Sequence, residues 1–507
     1  MLNEKLDKYL KDNFAPFHMP GHKRNIDILR KNLPYERDIT EIENFDNLND
    51  PKSIFLDLQE KIAKIYKVKK AIISVNGSTC GVLSSIRAVI KKNMIISDSS
   101  DSSDSEGKIN GKILVQRTCH KSVYNSIEVF NLAADYIKVK IDKNGIVSDI
   151  DYDDLEDKIN NNDYVAVILT SPSYEGFKID LKRAYNIVKR SHRICNNKID
   201  NANNDYYDDE KNTVKRPAII LDMAHGAHSI LSDCYDEFKY FDVAITSFHK
   251  TLSALTPSSA ILIQNEKYYD EIKHNMAIFQ TSSPSYVILQ SIDDMVNNFN
   301  RFYALRKKLY ENLQNLYNLK LKNLSFINDI NKDYTKILIS CKNTNITGYK
   351  LQELLYENKI EIEMSSYNYV LLMSSIFDKK ESFNRLKIAL IKIDKILSTK
   401  KNEIYKSKEK LLKNSDIAFK QEDFYMPYTI PKKVYEIGEA LYKKSHGIDY
   451  RDAKGKIIGE YVYVYPPGIP ILVPGEKISD DLINTINVLK KEQAKLSIEG
   501  SDIRVLY

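Results

Sequence analysis

The sequence predicts an α/β protein whose large domain is a mostly parallel sheet covered by helices on both sides. Two observations carry that expectation. Residues 60–265 alternate short apolar runs with helical patterns, once two strongly polar stretches are set aside. The chain has 507 residues, 43% hydrophobic and 28% charged, enough to build sizeable cores. At about 100–200 residues per domain, two to four domains are expected.

The apolar runs are AIISV ending at Val75, ILV at Val115, YVAVIL at Leu169, AIIL at Leu221 and VAI at Ile245. After the first run, Val82, Leu83, Ile86, Val89 and Ile90 share one helical face. Strands that alternate with helices in this way belong to parallel sheets buried on both faces. The stretches 97–108 (SDSSDSSDSEGK) and 196–215 (NNKIDNANNDYYDDEKNTVK) hold too little apolar surface to offset ordering entropy and are expected to be disordered surface insertions. Residues 285–320 read as one long helical stretch through Tyr286, Leu289, Met295, Phe299 and Leu309. A smaller α/β domain over 301–397 follows. The Lys- and Glu-rich stretch 398–415, with Ile404, Leu411 and Leu412 at helical spacing, reads as a connector. The last domain, 416–507, carries YVYVYPPGIPILVPGE and a helix capped by Ser479.

Composition excludes several functions. Lys and Arg total 75 against 69 Asp and Glu, a net charge of +6 with the signs interspersed, which gives no basic patch for nucleic acid. No run approaches the ~18 apolar residues of a membrane span. The opening MLNEKLDKYLKDNF lacks the apolar core of a signal peptide, so the expected location is cytoplasmic. Five dispersed cysteines without a Cys-x-x-Cys pair disfavour a disulfide framework and structural zinc.

The chemistry-bearing residues cluster just past the ends of the apolar runs, where open parallel sheets bind ligands. Gly77, Ser78 and Thr79 open a helix after the first run, a turn and N-terminus that suit either a phosphate or a plain cap. Asp222 ends AIILD and Lys250 follows VAITSFH. Alone, either residue reads as a cap, an ion-pair partner or a solvated side chain. Together, a phosphate cradle, a carboxylate and a lysine on strands of one sheet are what pyridoxal 5'-phosphate requires. His120 also follows a strand, where a ring can lie against a cofactor or serve as a packing residue. His225 and His228 lack the third ligand of a metal site, and no metal is expected.

Seven motifs in order resemble the Orn/Lys/Arg decarboxylase family of pyridoxal-phosphate enzymes. They are MPGHKR (19–24), NGSTCG (76–81), CHKSVYN (119–125), TSPSYEG (170–176), DMAHGAH (222–228), SFHKTLSALT (247–256) and YPPGIPILVPGE (465–476). The resemblance runs from about residue 14 to about residue 480. It implies a fold type I, aspartate aminotransferase-like large domain (60–300) preceded by a PGHK-bearing segment (1–59), with a smaller α/β domain and a C-terminal α+β domain. It also implies decarboxylation of lysine, arginine or ornithine to an amine of the polyamine kind. In that pattern Lys250 holds the cofactor covalently and Asp222 partners the pyridine nitrogen. Ala224 and His120 cover the two ring faces, and His225 lies near the cofactor hydroxyl. Gly77, Ser78, Thr79, Ser247 and His249 match phosphate-contacting positions, with His249 or Lys250 returning a proton to the substrate. Thr281 and Ser282, with Ser283, resemble a stretch reaching the neighbouring subunit's phosphate, which implies a homodimer with shared sites.

Glu175 and Glu476 are the candidates for the substrate's cationic end. Met223 stands where the family often has Glu, at a position expected to point away from the cofactor. PGHK begins at Pro20, so the resemblance is to members without an N-terminal response-regulator-like domain. Two alternatives stay open: another reaction of the same cofactor class, such as transamination, which needs an arginine for the α-carboxylate, or a non-catalytic homologue acting as a binding subunit.

Overall fold

The computed structural model describes residues 2–12, 33–94, 111–194, 216–232, 237–411, 430–465, 468–491 and 494–507. The PGHK motif, both polar insertions and the end of the 398–415 stretch lie outside them. Two helices, α1 (Leu2–Lys11) and α2 (Ile54–Tyr66), precede the sheet. The Asp46 carboxylate caps α2, accepting the backbone N–H groups of Ser53 at 2.9 Å and Phe55 at 3.0 Å.

The large domain then runs β1 (Lys70–Ser74), α3 (Gly77–Met94), β2 (Lys112–Gln116), α4 (Lys121–Val129) and β3 (Ala133–Ile137). A hairpin, β4 (Val139–Ile141) and β5 (Val147–Ile150), leads to α5 (Tyr152–Asn161), β6 (Ala166–Thr170), α6 (Leu181–Ile194) and β7 (Ala218–Asp222). Next come β8 (Val243–Ser247), the single turn α7 (Phe248–Thr251), β9 (Ser259–Ile263) and α8 (Tyr269–Phe279). Seven strands form one sheet in the order β1-β9-β8-β7-β6-β2-β3. Only β9 runs against its neighbours; β8, β7, β6, β2 and β3 pair in parallel.

The five apolar runs are thus five strands of this sheet, and their composition follows from burial on both faces. Val167, Leu169, Ile219 and Leu221 enter one hydrophobic core, while Ala166, Ile168, Ala218 and Ile220 enter the other. Each fully buried Val, Leu or Ile contributes roughly 1.5–3 kcal/mol of transfer free energy, so neither face tolerates a polar substitution.

The helical stretch over 285–320 is two helices, α9 (Tyr286–Asn297) and α10 (Phe299–Tyr317). Asn298 separates them at φ −94° and ψ 1°, and its side-chain amide donates to the Asp294 carbonyl at 2.9 Å, competing with the helical ladder. The smaller domain also departs from the expected pattern. It contains β10 (Ser325–Phe326), β11 (Lys336–Ser340), α11 (Gly348–Glu357), β12 (Met364–Ser365), β13 (Tyr369–Met373) and α12 (Lys380–Leu411). Its four-stranded sheet, β10-β11-β13-β12, is wholly antiparallel. The connector's helical spacing is the continuation of α12 through Leu411.

The C-terminal unit holds α13 (Ile437–Tyr442), β14 (Ser445–Asp449), β15 (Val462–Val464), β16 (Ile469–Leu472), α14 (Asp480–Lys491) and β17 (Asp502–Leu506) around its own core. Ser479 Oγ accepts the Leu482 N–H at 3.4 Å, in keeping with its capping role. Among the described residues, no helix is long and apolar enough to cross a membrane.

Candidate active site

A cavity of about 410 Å³ opens at the C-terminal edge of the parallel strands. Ser78 at the start of α3, Thr118 and His120 after β2, Thr170 at the end of β6, Asp222 and Ala224 at the end of β7, and His249 and Lys250 in α7 all line it, together with His225. Parallel pairing brings these strand ends together because the connecting helices return every chain crossing to the same edge.

The Asp222 side chain is buried, and its Oδ1 accepts the Ala224 N–H at 3.1 Å, which fixes the carboxylate. Lys250 Nζ lies 3.0 Å from His225 Nε2, and burial lowers the affinity of the lysine for its proton. His225 stacks edge-on against Tyr174, with ring centroids 4.9 Å apart, and burial followed by the charges of Lys336 and Lys250 holds its ring well below the ordinary histidine range. His120 caps α4: its Nδ1 accepts the Ser122 N–H at 3.2 Å. That bond leaves the proton of the neutral ring on Nε2. His249 is held the other way, because its Nδ1 lies 2.8 Å from the Ser258 carbonyl and must donate to it. Burial lowers both rings below the usual value.

Two buried hydroxyls at strand ends, Thr170 Oγ1 and Ser247 Oγ, have no hydrogen-bond partner among the described residues. Buried polar atoms are rarely left so, and the Thr170 hydroxyl, which lines the cavity, fits a ligand carrying acceptor oxygens. Gly77 opens α3 at φ +75°, a left-handed conformation that turns the chain from β1 into the helix. The residues present therefore suit a phosphorylated pyridine: a buried carboxylate for a ring nitrogen, a lysine for an aldehyde, hydroxyls and a helix N-terminus for a phosphate.

The remaining candidates fall elsewhere. Thr79 is exposed. Thr281, Ser282 and Ser283 are exposed too, and the Thr281 N–H reaches Asn76 Oδ1 at 3.4 Å, beside the start of α3. Met223 is fully buried in the apolar core and does not line the cavity. His228 turns away from His225 to pair with Asp333 at 2.9 Å. Among the described residues, no group of three or more His, Cys, Asp and Glu side chains could hold a metal.

Neither glutamate expected at the substrate's cationic end lines the cavity. Glu175 is buried and accepts from the Tyr369 hydroxyl at 3.0 Å. Glu476 is fully buried against Arg117 at 3.1 Å and also accepts the Val473 N–H at 2.8 Å. The cavity instead takes Glu363 and Met373 from the small domain, Tyr465 and Ile469 from the C-terminal unit, and Pro172 and Tyr174 from the loop after β6. Tyr174 and Tyr465 stood in motifs whose other residues drew attention. Glu363 carried no signal among 69 acidic residues.

Comparison with known proteins agrees with this geometry. Residues 2–332 match the family model described as "Orn/Lys/Arg decarboxylase, major domain", and residues 417–496 match "Orn/Lys/Arg decarboxylase, C-terminal domain". The chain is 26% identical to an arginine decarboxylase of Bacillus subtilis, over 99% of this chain and 95% of that protein. It is 25% identical to an arginine decarboxylase of Bacillus anthracis, over 98% and 94%. Among solved structures, the lysine decarboxylase LdcF of Francisella novicida superposes with a TM-score of 0.74 at 18% identity, covering 100% of this chain and 81% of that one. The constitutive lysine decarboxylase of E. coli gives 0.72 at 17% identity, covering 100% and 82%. These two likenesses establish the fold.

Proposed function

The chain belongs to the Orn/Lys/Arg decarboxylase family, and on that premise we propose that it removes the α-carboxyl group of a basic amino acid as CO₂, leaving an amine of the polyamine kind. Decarboxylases of this family depend on pyridoxal 5'-phosphate. The observation that carries the reading is the convergence of Lys250, Asp222 and His120 on one cavity at the strand ends.

When bound, the cofactor supplies an electron sink for the pair left behind by departing CO₂. The chain's own residues do the rest. Lys250 would hold the cofactor, with His120 and Ala224 at its ring. Asp222, buried and oriented by the Ala224 N–H, would hold a ring nitrogen in its cationic form. Ser78, Ser247 and the opening of α3 neutralise the phosphate. Glu363 takes the distal cation of the substrate: it lines the cavity, and the Tyr174 hydroxyl donates to its Oε1 at 2.6 Å, which fixes it for a charge-assisted bond. Among the described residues no arginine lines the cavity, and Arg117 is occupied by Glu476 and by backbone carbonyls. That favours loss of an α-carboxylate over the clamping of one for transamination. The exposed Thr281 and Ser282 are available to a second copy, which fits a homodimer with shared sites in the cytoplasm.

The names of the bacillar relatives support arginine as the first substrate to try. The test is to trap CO₂ and identify the amine from arginine, lysine and ornithine supplied separately. One clear favourite is expected, and Lys250→Ala should abolish both turnover and the yellow absorbance of lysine-bound cofactor. Release of a keto acid would establish transamination. Bound cofactor with no turnover on any of the three would establish a binding subunit.

A further inference from the structure

A second lysine stands behind the first. Lys336 opens β11 with 1% of its surface exposed, and its Nζ lies 3.1 Å from Nδ1 of His225, the ring whose Nε2 is 3.0 Å from Lys250 Nζ. Its stem has no room to swing away. Gly176, at φ +98°, packs so tightly on it that a Cβ there would sit 2.6 Å from Lys336 Cγ. A neutral imidazole offers one N–H and one lone pair. Of the two amines that flank it, the one facing the N–H must therefore accept as a free amine, while the other donates to the lone pair and is free to carry the proton.

We propose that Lys336 is a positioning residue that stores the proton Lys250 must shed to become a nucleophile, receiving it through His225. In the first state the Lys250 ammonium donates to Nε2, and Nδ1–H donates to the neutral Lys336 amine. Transfer breaks one N–H bond at Lys250 and forms one at Nε2, while Nδ1 loses its proton to Lys336. His225 changes tautomer and the total charge stays at +1. Lys250 is then a neutral amine whose lone pair accepts from Nε2–H, and it is released to attack when that one contact opens.

The surroundings favour one shared proton. Lys336 faces the carboxylates of Asp333, Glu363 and Glu175, and Lys250 faces those of Asp222 and Glu363. His120, His249 and both lysines surround His225 and oppose a charge on it. Burial brings Lys336 down to about 8 and lowers Lys250 as well, so both amines give up a proton more readily than an exposed lysine.

The proposal rests on Lys250 as the cofactor lysine, but its test needs no substrate, and its first readout needs no cofactor. The full chain, stripped of cofactor, is acylated with acetic anhydride across a pH series, and the Lys250 peptide is quantified by mass spectrometry. In the wild type the reactivity of Lys250 should rise in two steps, the mark of two amines that titrate as a pair. In Lys336→Met and Lys336→Gln it should rise in a single step, displaced upward by about one pH unit because the repelling ammonium is gone. The rate of cofactor uptake should move in parallel and match the wild type at high pH, which also shows that the variants fold. A single-step wild-type curve overturns the proposal without any substitution. So does an unshifted midpoint in either variant, since a contact role would survive in Gln. None of these outcomes bears on CO₂ release, which decides the decarboxylase reading separately.

Discussion

Glu476→Gln separates a structural carboxylate from a substrate-binding one. Glu476 and Arg117 form an ion pair with side chains 0% and 2% exposed. Arg117 sits at the end of β2, two residues before Cys119-His120, and its guanidinium also donates to the Tyr124 hydroxyl at 2.7 Å and to the carbonyls of Pro470 and Ile471 at 3.3 and 3.2 Å. It thus fastens β16, whose first residue Ile469 lines the cavity, to the large domain. Burial raises the Glu476 carboxyl above the ordinary range, and Arg117 and the Val473 N–H offset part of that cost. Removing one partner of a buried pair costs about 3–5 kcal/mol because the other charge stays buried. Arg117 would keep Tyr124, two carbonyls and the Tyr136 ring at 5.2 Å, so the low end, about 3 kcal/mol, is expected. Hydrogen exchange of the 469–476 peptide in the variant should then accelerate by about a hundredfold. The double variant Arg117→Met/Glu476→Leu should lose less than Glu476→Gln alone, since no charge remains stranded. Unchanged protection in Glu476→Gln, accompanied by a raised KM, would refute the structural assignment and return Glu476 to the substrate.

Two further outcomes test other parts of the molecule. Glu363→Gln should raise KM for the basic substrate by about 10–100-fold, the worth of a hydrogen bond to a charged group, with kcat little changed; an unaltered KM would remove Glu363 from the head-group site. Asp242 is buried under Arg216 at 2.7 Å and also accepts the Ile219 N–H at 2.8 Å. Burial opposes its ionisation, but Arg216 and these bonds outweigh it and hold the carboxyl below its ordinary value. The stabilisation is therefore present above the usual carboxylate range and lost as pH falls through the lowered value. Asp242→Asn should be less stable by about 3–5 kcal/mol at neutral pH, and urea unfolding at a series of pH values should show the gap closing below about pH 4. A gap independent of pH would count against the ionic role.

What was legible in the sequence follows from how each feature is encoded. Two-sided burial writes a strand such as AIILD as an unbroken apolar run, so the parallel sheet could be read, and with it the side chains at strand ends. Antiparallel β9 was not singled out, since SAILI lies close behind Lys250 and reads the same in either direction. The split at Asn298 was hidden because the apolar spacing continues through Phe299 and Phe302 on the next helix. Periodicity reports which face is buried, and a helix break that preserves the face leaves no trace. Glu476 misled for a different reason. A buried carboxylate in a motif near the cofactor serves either a ligand or a structural cation, and only the position of Arg117, 359 residues earlier, decides between them.

The cavity draws on the large domain, the small domain and the C-terminal unit, and this division explains both the specificity and the limits of the motifs. The residues proposed to act on the cofactor stand at or just past the strand ends of one sheet, and these are the ones sequence order revealed. The residues proposed to meet the far end of a substrate, Glu363 and Tyr465, arrive from the small domain and the C-terminal unit. Their positions depend on how those parts dock. Replacing Glu363 changes a contact, whereas loosening the Arg117–Glu476 fastening changes the wall that carries Tyr465 and Ile469. The first should weaken basic substrates selectively, judged by KM against a neutral analogue of the same length. The second should weaken basic and neutral analogues alike. Equal losses from both substitutions would mean that no carboxylate in this cavity reads the charge of the substrate, and that selection lies in shape alone.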